Sequence, residues 1–295
     1  MRRAFRSVGI ALAPLLSGAC IFHPIVGMQP IGGERNESED ASGWLLLLTG
    51  SSAITPVSPD LIPGLALWLK ADTIGQSDST PVSAWPDSTT NGLDAAQGTA
   101  GRQPVYRTGV VNGNPVVRFS PAVTPDFMDI PEFMDSASPA IFVVAQTTST
   151  ATNQRIFNDM GSVFAEWLWI GVNGSNDVFQ GSRDIDGDLL STVGVSMDQF
   201  RILFMQVDGQ TVTWSQDGTV TSTSNSLYDS YNWNGGIAGP RIGTTANSAT
   251  GNPVDGDIAE IVVYKRVLTD LERQSVECHL SLKYAIAVSQ ICSGG

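Results

Sequence analysis

Histidine and lysine are scarce in this chain of 295 residues. Its two histidines are His23 and His279, and its three lysines are Lys70, Lys265 and Lys283. A Ser–His or Cys–His catalytic device needs a histidine as its base, so nucleophilic catalysis of that type has little support. The formal net charge of −13 also argues against nucleic-acid binding, which requires a basic face.

The N-terminus has the pattern of an export signal. A basic region from Met1 to Arg6 precedes a short apolar run from Val8 to Leu16. The following residues, Ser17-Gly18-Ala19-Cys20, complete a segment that resembles a bacterial lipobox, with Ser17 in place of the commoner apolar residue. We therefore predict a lipoprotein-type signal peptide over residues 1–19 and acylation of Cys20. An ordinary cleaved signal with an incidental cysteine is the alternative.

Residues 20–60 are predicted to form an acidic, flexible tether, because charged residues, Gly, Ser and Pro recur there without an apolar period. Ile21 follows Cys20, which by the same resemblance implies an outer-membrane lipoprotein. The apolar run Trp44-Leu45-Leu46-Leu47-Leu48 interrupts the tether. It is too short to span a bilayer, which needs about 20 residues. The run either docks on the domain or dips into lipid.

Residues 61–295 show the pattern of many short strands in one domain. The dipeptides Asn112-Gly113 and Asp208-Gly209 lie between apolar runs and predict hairpins, and Asp217-Gly218 predicts the next turn. The run Ile141-Phe142-Val143-Val144-Ala145 is apolar on both faces, which predicts a central strand. We find no convincing helical periodicity before Thr269.

A buried strand and a capped helix are predicted near the C-terminus. In the strand Gly256–Tyr264, Ala259, Ile261 and Val263 alternate onto one apolar face. Thr269 and Glu272 form a capping box for the helix. Two apolar stripes predict that this helix is wedged between two surfaces. One stripe is Leu271, Cys278 and Leu282, and the other is Val276, Leu280 and Tyr284.

Stretches near both ends of residues 63–284 resemble bacterial laminin-G-like, concanavalin A-like jelly-roll domains. The C-terminal stretch is GDIAEIVVY at residues 256–264, followed by Leu268, ERQ at 272–274, Leu280 and KY at 283–284. The N-terminal stretch is PGLALWLKAD at 63–72, followed by WPDS at 85–88 and NGLDA at 91–95. The resemblance implies an all-β fold, a concanavalin A-like jelly-roll β-sandwich with one C-terminal helix.

A catalytic role has little support in the sequence. Related sandwich enzymes of the glucanase type carry Glu-x-Asp-x-x-Glu on one strand, and this chain has no such run. Glycoside hydrolysis needs two carboxylates about 5–9 Å apart. Glu166, between Phe164 and Leu168, is the one acid in an unusual apolar setting, and a solvated or paired residue at a sheet edge explains it more simply. We predict that the protein is not an enzyme.

Asp184, Asp186 and Asp188 are the candidate metal ligands. Alternating aspartates in a turn present several oxygen atoms to Ca²⁺. The spacing is not that of an EF-hand, because Gly187 falls at the fourth position and no glutamate follows at the twelfth. The cofactor prediction is therefore a calcium ion, with three solvated loop acids as the alternative.

Tyr228, Tyr231 and Trp233 are the candidate ligand-binding residues. They lie close together beside Asn and Asp, where aromatic rings stack on sugars or anchor a protein partner. Packing over the end of a sheet is the alternative. Trp167 and Trp169 alternate along a strand and are predicted to be core residues.

Cys278 and Cys292 are predicted to form a disulfide. With Cys20 assigned to lipid, they are the remaining thiols of a chain predicted to enter an oxidising compartment. The residues after the helix are numerous enough for Cys292 to fold back to Cys278. Two separate thiols, with Cys278 buried on the helix, are the alternative.

These features predict a non-enzymatic, envelope-anchored binding module for glycan or protein ligands. Lectin-like domains of the resembled family imply that role, although the fold alone does not determine function. Two other classes stay open. One is a glycan-degrading enzyme of the glucanase-like sandwich class, and the other is a structural envelope lipoprotein without a ligand.

Overall fold

A computed structural model describes residues 53–148, 153–160, 167–175, 177–183, 188–226 and 238–294. These residues form antiparallel strands and a C-terminal helix, α1, at Asp270–Tyr284. The strands are β1 Leu65–Lys70, β2 Ala84–Trp85, β3 Ala95–Ala96, β4 Val105–Val111, β5 Asn114–Phe119, β6 Met128–Asp129, β7 Ala140–Thr147, β8 Gln154–Met160, β9 Trp167–Val172, β10 Asp177–Arg183, β11 Asp188–Ser196, β12 Arg201–Asp208, β13 Thr211–Gln216, β14 Thr219–Ser224, β15 Ala238–Ile242 and β16 Gly256–Tyr264.

The strands pair into two eight-stranded sheets that pack face to face. Sheet I has the order β14-β13-β12-β7-β16-β5-β4, and β1 also pairs with β16. Sheet II has the order β11-β10-β9-β8-β15-β6-β3-β2. The many non-sequential neighbours are those of a jelly-roll sandwich, so the predicted all-β fold with one C-terminal helix is confirmed.

Two apolar layers hold the domain together. The first lies between the sheets and includes Trp85, Phe157 and Trp214, each at most 1% exposed. The second lies between sheet I and α1, where Phe142 and Phe204 pack with their ring centroids 4.6 Å apart. Sheet I is thus covered on both faces, which explains why β7 and β16 are apolar on both sides. The predicted central position of Ile141–Ala145 is confirmed, because β7 lies between β12 and β16.

A β-bulge in β16 changes the predicted assignment of its faces. Ile258 pairs with Ala145 and Glu260 pairs with Val144, so Ala259 has no partner on β7. Beyond the bulge, Ile261 and Val263 face sheet II, as does Ile258 before it, while Ala259 packs in the layer below the helix. The prediction that Ala259 shares a face with Ile261 and Val263 is therefore wrong, because one extra residue reverses the alternation.

Helix α1 begins with the predicted capping box. The Thr269 hydroxyl accepts the Glu272 N–H, and the Glu272 carboxylate accepts the Thr269 N–H at 2.9 Å. Val276, Leu280 and Tyr284 pack on sheet I. The other predicted stripe, Leu271, Cys278 and Leu282, is not a continuous packing surface, since Leu271 is 62% exposed and Leu282 is 37% exposed. The helix therefore lies on one surface and is not wedged between two.

Glu260 anchors the end of α1 to sheet I. Its side chain has no exposed surface and accepts hydrogen bonds from the Trp68 indole N–H and, at 2.7 Å, from the Tyr284 hydroxyl. The Lys283 ammonium lies 2.7 Å from the same carboxylate. A carboxylate buried beneath a helix requires such partners, because burial of an unpaired charge is strongly unfavourable.

The three predicted turns are present, and one of them lies one residue later than predicted. Asn112 and Gly113 both have positive φ, 46° and 76°, as do Asp217 and Gly218, at 47° and 78°. These are the values that two-residue hairpin turns of type I′ require. Asp208 pairs with Thr211, so the turn residues of that hairpin are Gly209 and Gln210 rather than Asp208 and Gly209.

The described part of the domain extends to the N-terminal side of Leu61. The Ile54 N–H donates to the Ile291 carbonyl at 2.7 Å, and the Val57 N–H donates to the Ser275 carbonyl at 3.2 Å. The Tyr264 hydroxyl donates to the Pro59 carbonyl at 2.9 Å. No helix in the described ranges has both the length and the apolar character needed to cross a bilayer.

Candidate functional site

Most residues predicted from the sequence to form sites lie outside the described part of the chain. This holds for Cys20, for Glu166, for the aromatic cluster Tyr228, Tyr231 and Trp233, and for Asp184 and Asp186. Asp188 begins β11, but its side chain is also outside the description. The lipid, aromatic and calcium sites therefore stay predictions. Within the described ranges, no three His, Cys, Asp or Glu side chains cluster as a metal site.

The predicted disulfide is confirmed. Cys278 on α1 is bonded to Cys292, with their Cα atoms 5.5 Å apart. The helix ends at Tyr284, and its C-cap residue Ala285, with a left-handed φ of 54°, turns the chain back toward Cys278. Cys292 also forms a parallel bridge with Ile54. The bond therefore holds the C-terminal segment and, through it, the N-terminal edge of the domain against the helix.

A depression with a volume of about 230 Å³ lies on the outer face of sheet II. Leu168, Ile170 and Val172 of β9 point into the core between the sheets, so the alternate residues Trp167 and Trp169 point outward. The prediction that both tryptophans are core residues is therefore wrong for Trp167, which is partly exposed. Trp169 is buried, with 7% exposure, but it does not belong to the layer between the sheets. The described walls of the depression are Arg155, Trp167, Trp169, Thr245 and Asn252.

Trp169 lies across the neighbouring strand β10. It is directly opposite Gly181, and a Cβ atom at position 181 would overlap the six-membered part of the indole. The glycine therefore creates the space that the ring occupies. The Arg155 guanidinium lies over the same ring, 4.6 Å from its centroid, in a cation–π contact. Burial lowers the pKa of Arg155 to about 10, so the guanidinium is charged at neutral pH.

The loop between β15 and β16 forms the other wall. The backbone N–H of Arg155 donates to the backbone carbonyl of Asn252 at 2.9 Å, and the side-chain amide of Asn252 donates to the Thr245 hydroxyl at 3.1 Å. Asn158, on the outer face of β8, accepts the Ala246 N–H at 2.6 Å and donates to the Leu168 carbonyl at 2.8 Å. These bonds fix the loop beside the two tryptophans. The result is a preformed surface with aromatic rings, a cation and polar groups.

A second arginine–aromatic contact lies on the same side of sheet II. Arg241 of β15 pairs with Asn158 in register, and its guanidinium lies 4.1 Å from the Phe127 ring centroid. It also contacts the Asp129 carboxylate at 2.6 Å. The outer face of sheet II thus carries ordered arginine–aromatic pairs on adjacent strands, although the chain as a whole is acidic.

Asp159 and Glu132 are the described acids most relevant to an enzyme. Burial raises the pKa of Asp159 well above its usual value, and the charge of Glu132 raises it further. Burial also raises the pKa of Glu132. Asp159 is only 1% exposed, and it faces the core because it pairs with the inward-pointing Leu168. A substrate on either surface of the described sheets would not reach this carboxylate.

The sequence did not identify the depression. Tryptophans two residues apart share one face of a strand, but β9 is apolar on both faces, and nothing local shows which face is outward. Arg155, Thr245 and Asn252 come from segments far apart in the sequence. Gly181 was the one local signal, because a glycine within a strand often marks a close approach.

Comparison with known proteins shows similarity in structure but not in sequence. No protein-family model matches the chain, and no curated protein matches its sequence. Domain 4 of AbnA, a GH43 extracellular arabinanase from Geobacillus stearothermophilus solved in complex with arabinotriose, is similar over 72% of this chain and 97% of that domain, with 16% identity and a TM-score of 0.52. The shared feature is the fold.

Sialidase structures match over shorter stretches. The CBM40 module of the Ruminococcus gnavus IT-sialidase was solved bound to α2,3-sialyllactose. The matched region covers 46% of this chain and 79% of that module, with 16% identity and a TM-score of 0.39. For the K499G mutant of the NanB sialidase from Streptococcus pneumoniae, the matched region covers 54% of this chain and 26% of the sialidase chain, with 16% identity and a TM-score of 0.45. The sandwich part of the predicted resemblance is confirmed by the arabinanase domain, and the laminin-G-like assignment stays a prediction.

Proposed function

We propose that this protein is a non-enzymatic glycan-binding module that uses the depression on sheet II. The observation that carries the proposal is the partly exposed Trp167, which lies in the depression beside the largely buried Trp169 and beside Arg155, Thr245 and Asn252. Indole rings pack against the apolar faces of sugar rings, and the side chains around them supply hydrogen bonds to hydroxyl groups. The arabinanase domain of the same fold was solved with arabinotriose, which favours a glycan over a protein ligand.

Glycan arrays probed with the full-length Cys20→Ala protein, which lacks the proposed lipid, test the function. Trp167 is partly exposed, so Trp167→Ala should weaken glycan binding at least tenfold by calorimetry and leave the melting temperature nearly unchanged. Leu271→Ala is the control, because Leu271 is exposed on α1, away from sheet II. Undiminished binding by Trp167→Ala would exclude the depression as the glycan site. Absence of any glycan ligand would reject the function.

The alternative function is that of a glycan-degrading enzyme. The observation that favours it is the raised pKa of the Asp159 carboxyl. Its raised pKa suits a general acid, but its 1% exposure separates it from a substrate. We therefore expect no release of reducing ends from the glycans that bind. Release that is lost in Asp159→Asn would establish the enzyme instead.

Display on the envelope through a lipid on Cys20 completes the proposal. It is supported by the signal and the lipobox-like segment that precede Cys20. Labelled fatty acid should enter the wild-type protein and not the Cys20→Ala variant, and the label should fractionate with the outer membrane. Equal labelling of both proteins would reject the anchor without affecting the glycan site.

A further inference from the structure

Sheet I ends in β14 on one side and in β4 and β1 on the other. The free backbone groups of an edge strand can pair with another chain, and proteins usually cover or distort such edges. The β4 edge is covered, because Tyr106 accepts the Ser79 N–H at 2.8 Å and donates to the Thr80 carbonyl at 2.9 Å. The β1 edge is covered as well, since the Ser88 N–H donates to the Trp68 carbonyl at 2.8 Å.

The opposite edge, β14 at Thr219–Ser224, lacks such cover among the described residues. Within the described ranges, β13 is its one strand neighbour, and no loop backbone is hydrogen-bonded to it. The strand has six residues, contains neither proline nor a charged side chain, and pairs with β13 without an irregularity. Five of the six residues are exposed, including Val220 at 40%. β14 is therefore a regular, uncharged edge that is open to solvent.

The turn before β14 determines which of its backbone groups point away from β13. Asp217 and Gly218 form a two-residue turn, so the flanking Gln216 and Thr219 are a hydrogen-bonded pair. Hydrogen-bonded and non-hydrogen-bonded pairs alternate along antiparallel strands. The residues whose N–H and C=O groups point to the free side are therefore Val220, Ser222 and Ser224. Each of them has one donor and one acceptor available to another strand.

The side chains of β14 are complementary to themselves. Apart from Val220 they are serine and threonine, whose hydroxyl groups both donate and accept hydrogen bonds. Pairing of this kind already joins β14 to β13, where Ser224 bonds to Thr211 at 2.8 Å and Ser222 bonds to Thr213 at 3.2 Å. A second β14 would offer the same hydroxyl groups on its other side.

The charge of the chain restricts where two copies can meet. With a net charge of −13, two copies repel each other, and like charges directly opposite in paired strands are destabilising. β14 and the following Asn225 and Ser226 carry no charge. The nearest acid in the preceding turn, Asp217, is neutralised by Arg201 at 2.9 Å. A contact between two β14 strands therefore brings no like charges together.

We propose that β14 pairs with β14 of a second copy of this chain, antiparallel across a two-fold axis at Ser222. Two-fold symmetry places the same strand on both sides of the contact and makes the pair antiparallel. With Ser222 opposite its own copy, Val220 lies opposite Ser224, so every outward N–H and C=O group of the strand is paired. Thr221 then lies opposite Thr223, and such hydroxyl pairs stabilise a sheet. The two copies of sheet I become one continuous sheet.

Sedimentation equilibrium of the full-length Cys20→Ala protein measures this association. We expect a reversible dimer, because one strand per copy buries less area than a standard interface of about 1,600 Å². Ser222→Pro removes the N–H at the centre of the contact and should raise the dissociation constant at least tenfold. The variant should keep the melting temperature of the wild type, since proline is tolerated on an edge strand where the N–H points outward.

Three further variants separate the backbone contact from other effects. Ser222→Lys places two ammonium groups opposite each other and should also raise the dissociation constant at least tenfold. Ser222→Ala keeps the backbone groups and should dimerise nearly as the wild type does. Leu271→Lys adds the same charge at a residue that is 62% exposed on α1, and it should leave the association unchanged.

Amide hydrogen exchange locates the contact. The N–H groups of Val220, Ser222 and Ser224 should become protected as the protein concentration rises, whereas those of Thr219 and Thr221, which are bonded to β13, should be protected throughout. A wild type that stays monomeric at every concentration would overturn the proposal. Unchanged association in Ser222→Pro would also overturn it, because the contact would then lie elsewhere, for example at β11, an edge strand of sheet II. Neither result bears on glycan binding.

Discussion

The Trp169 indole occupies the volume that a side chain at position 181 would need, so Gly181 and Trp169 form one structural unit across β9 and β10. On the other side of β9, Arg155 of β8 contacts the same ring through its guanidinium. This arrangement keeps a large apolar ring flat on an outer sheet face without burying it between the sheets. It fixes the position of the ring before any ligand arrives, which reduces the ordering cost of binding.

Gly181→Ala tests this unit. The added methyl group displaces the Trp169 ring, so we expect glycan affinity to fall at least tenfold, with a loss of about 1–3 kcal/mol in stability from overpacking. Gly174→Ala is the matched control, because a Cβ there meets open space. Calorimetric titration and urea unfolding measure the two effects. Wild-type affinity in Gly181→Ala would mean that the ring position does not matter for binding.

The disulfide should contribute substantially to stability. It closes a loop with a sequence separation of 14 residues, for which the chain-entropy relation gives about 3 kcal/mol. The double variant Cys278→Ala, Cys292→Ala should lose about that amount in urea unfolding. Reductant should destabilise the wild type to a similar degree and leave the variant unchanged. If oxidised wild type and variant unfold at the same urea concentration, the bond does not stabilise the domain.

Glu260 should contribute more to the docking of α1 than any one of its partners. Glu260→Gln removes the charge that pairs with Lys283 and should cost about 3–5 kcal/mol, the range for breaking a buried pair. Tyr284→Phe removes one hydrogen bond to that carboxylate and should cost about 1.5–3 kcal/mol. Urea unfolding of both variants gives the order. A larger loss in Tyr284→Phe would contradict the central role of the carboxylate.

Asp159 should make the domain less stable as the pH rises. Its pKa is raised in the folded state, so the folded chain keeps a proton that the unfolded chain releases above pH 3.8. The free energy of unfolding therefore falls as the pH rises above 3.8, until the pH exceeds the pKa of Asp159 in the folded state. Asp159→Asn cannot lose this proton, and its melting temperature should exceed that of the wild type at pH 7.

The control for this effect is Asp126→Asn. Burial raises the pKa of Asp126 to about 6, so this residue also lowers the stability of the domain as the pH rises. Its effect on stability stops changing soon above pH 6, whereas the effect of Asp159 continues to a higher pH. The advantage of Asp159→Asn should shrink toward zero as the pH falls to about 4. A melting-temperature difference that does not depend on pH would show that Asp159 is not the titrating group.

Calcium binding by Asp184, Asp186 and Asp188 stays a proposal with a direct test. Ca²⁺ that binds the native state raises stability by RT ln(1 + [L]/Kd). The melting temperature should therefore be higher in millimolar Ca²⁺ than in chelator. The gain should disappear in the Asp184→Asn, Asp186→Asn variant. Equal unfolding temperatures with Ca²⁺ and with chelator would reject the site.

Local chemistry determined several features of this protein from the sequence alone. Asn112-Gly113 forms its turn because both residues tolerate positive φ, and Thr269 and Glu272 cap α1 because they satisfy each other's backbone N–H groups. The Cys278–Cys292 pair was predicted because these are the thiols that remain once Cys20 is assigned to lipid, and the chain between them is long enough to fold back. The turn and the cap depend on residues close together in the sequence, and none of the three predictions required knowledge of the packing.

Only the tertiary structure decided which face of each strand meets solvent. Period-two alternation shows that Trp167 and Trp169 share a face, but the other face of β9 is equally apolar. In β16 a single bulged residue, Ala259, reversed the alternation. The depression combines side chains from β8, β9 and the β15–β16 loop. It arises from pairing between distant strands, which depends on the packing of the whole sandwich rather than on any local pattern.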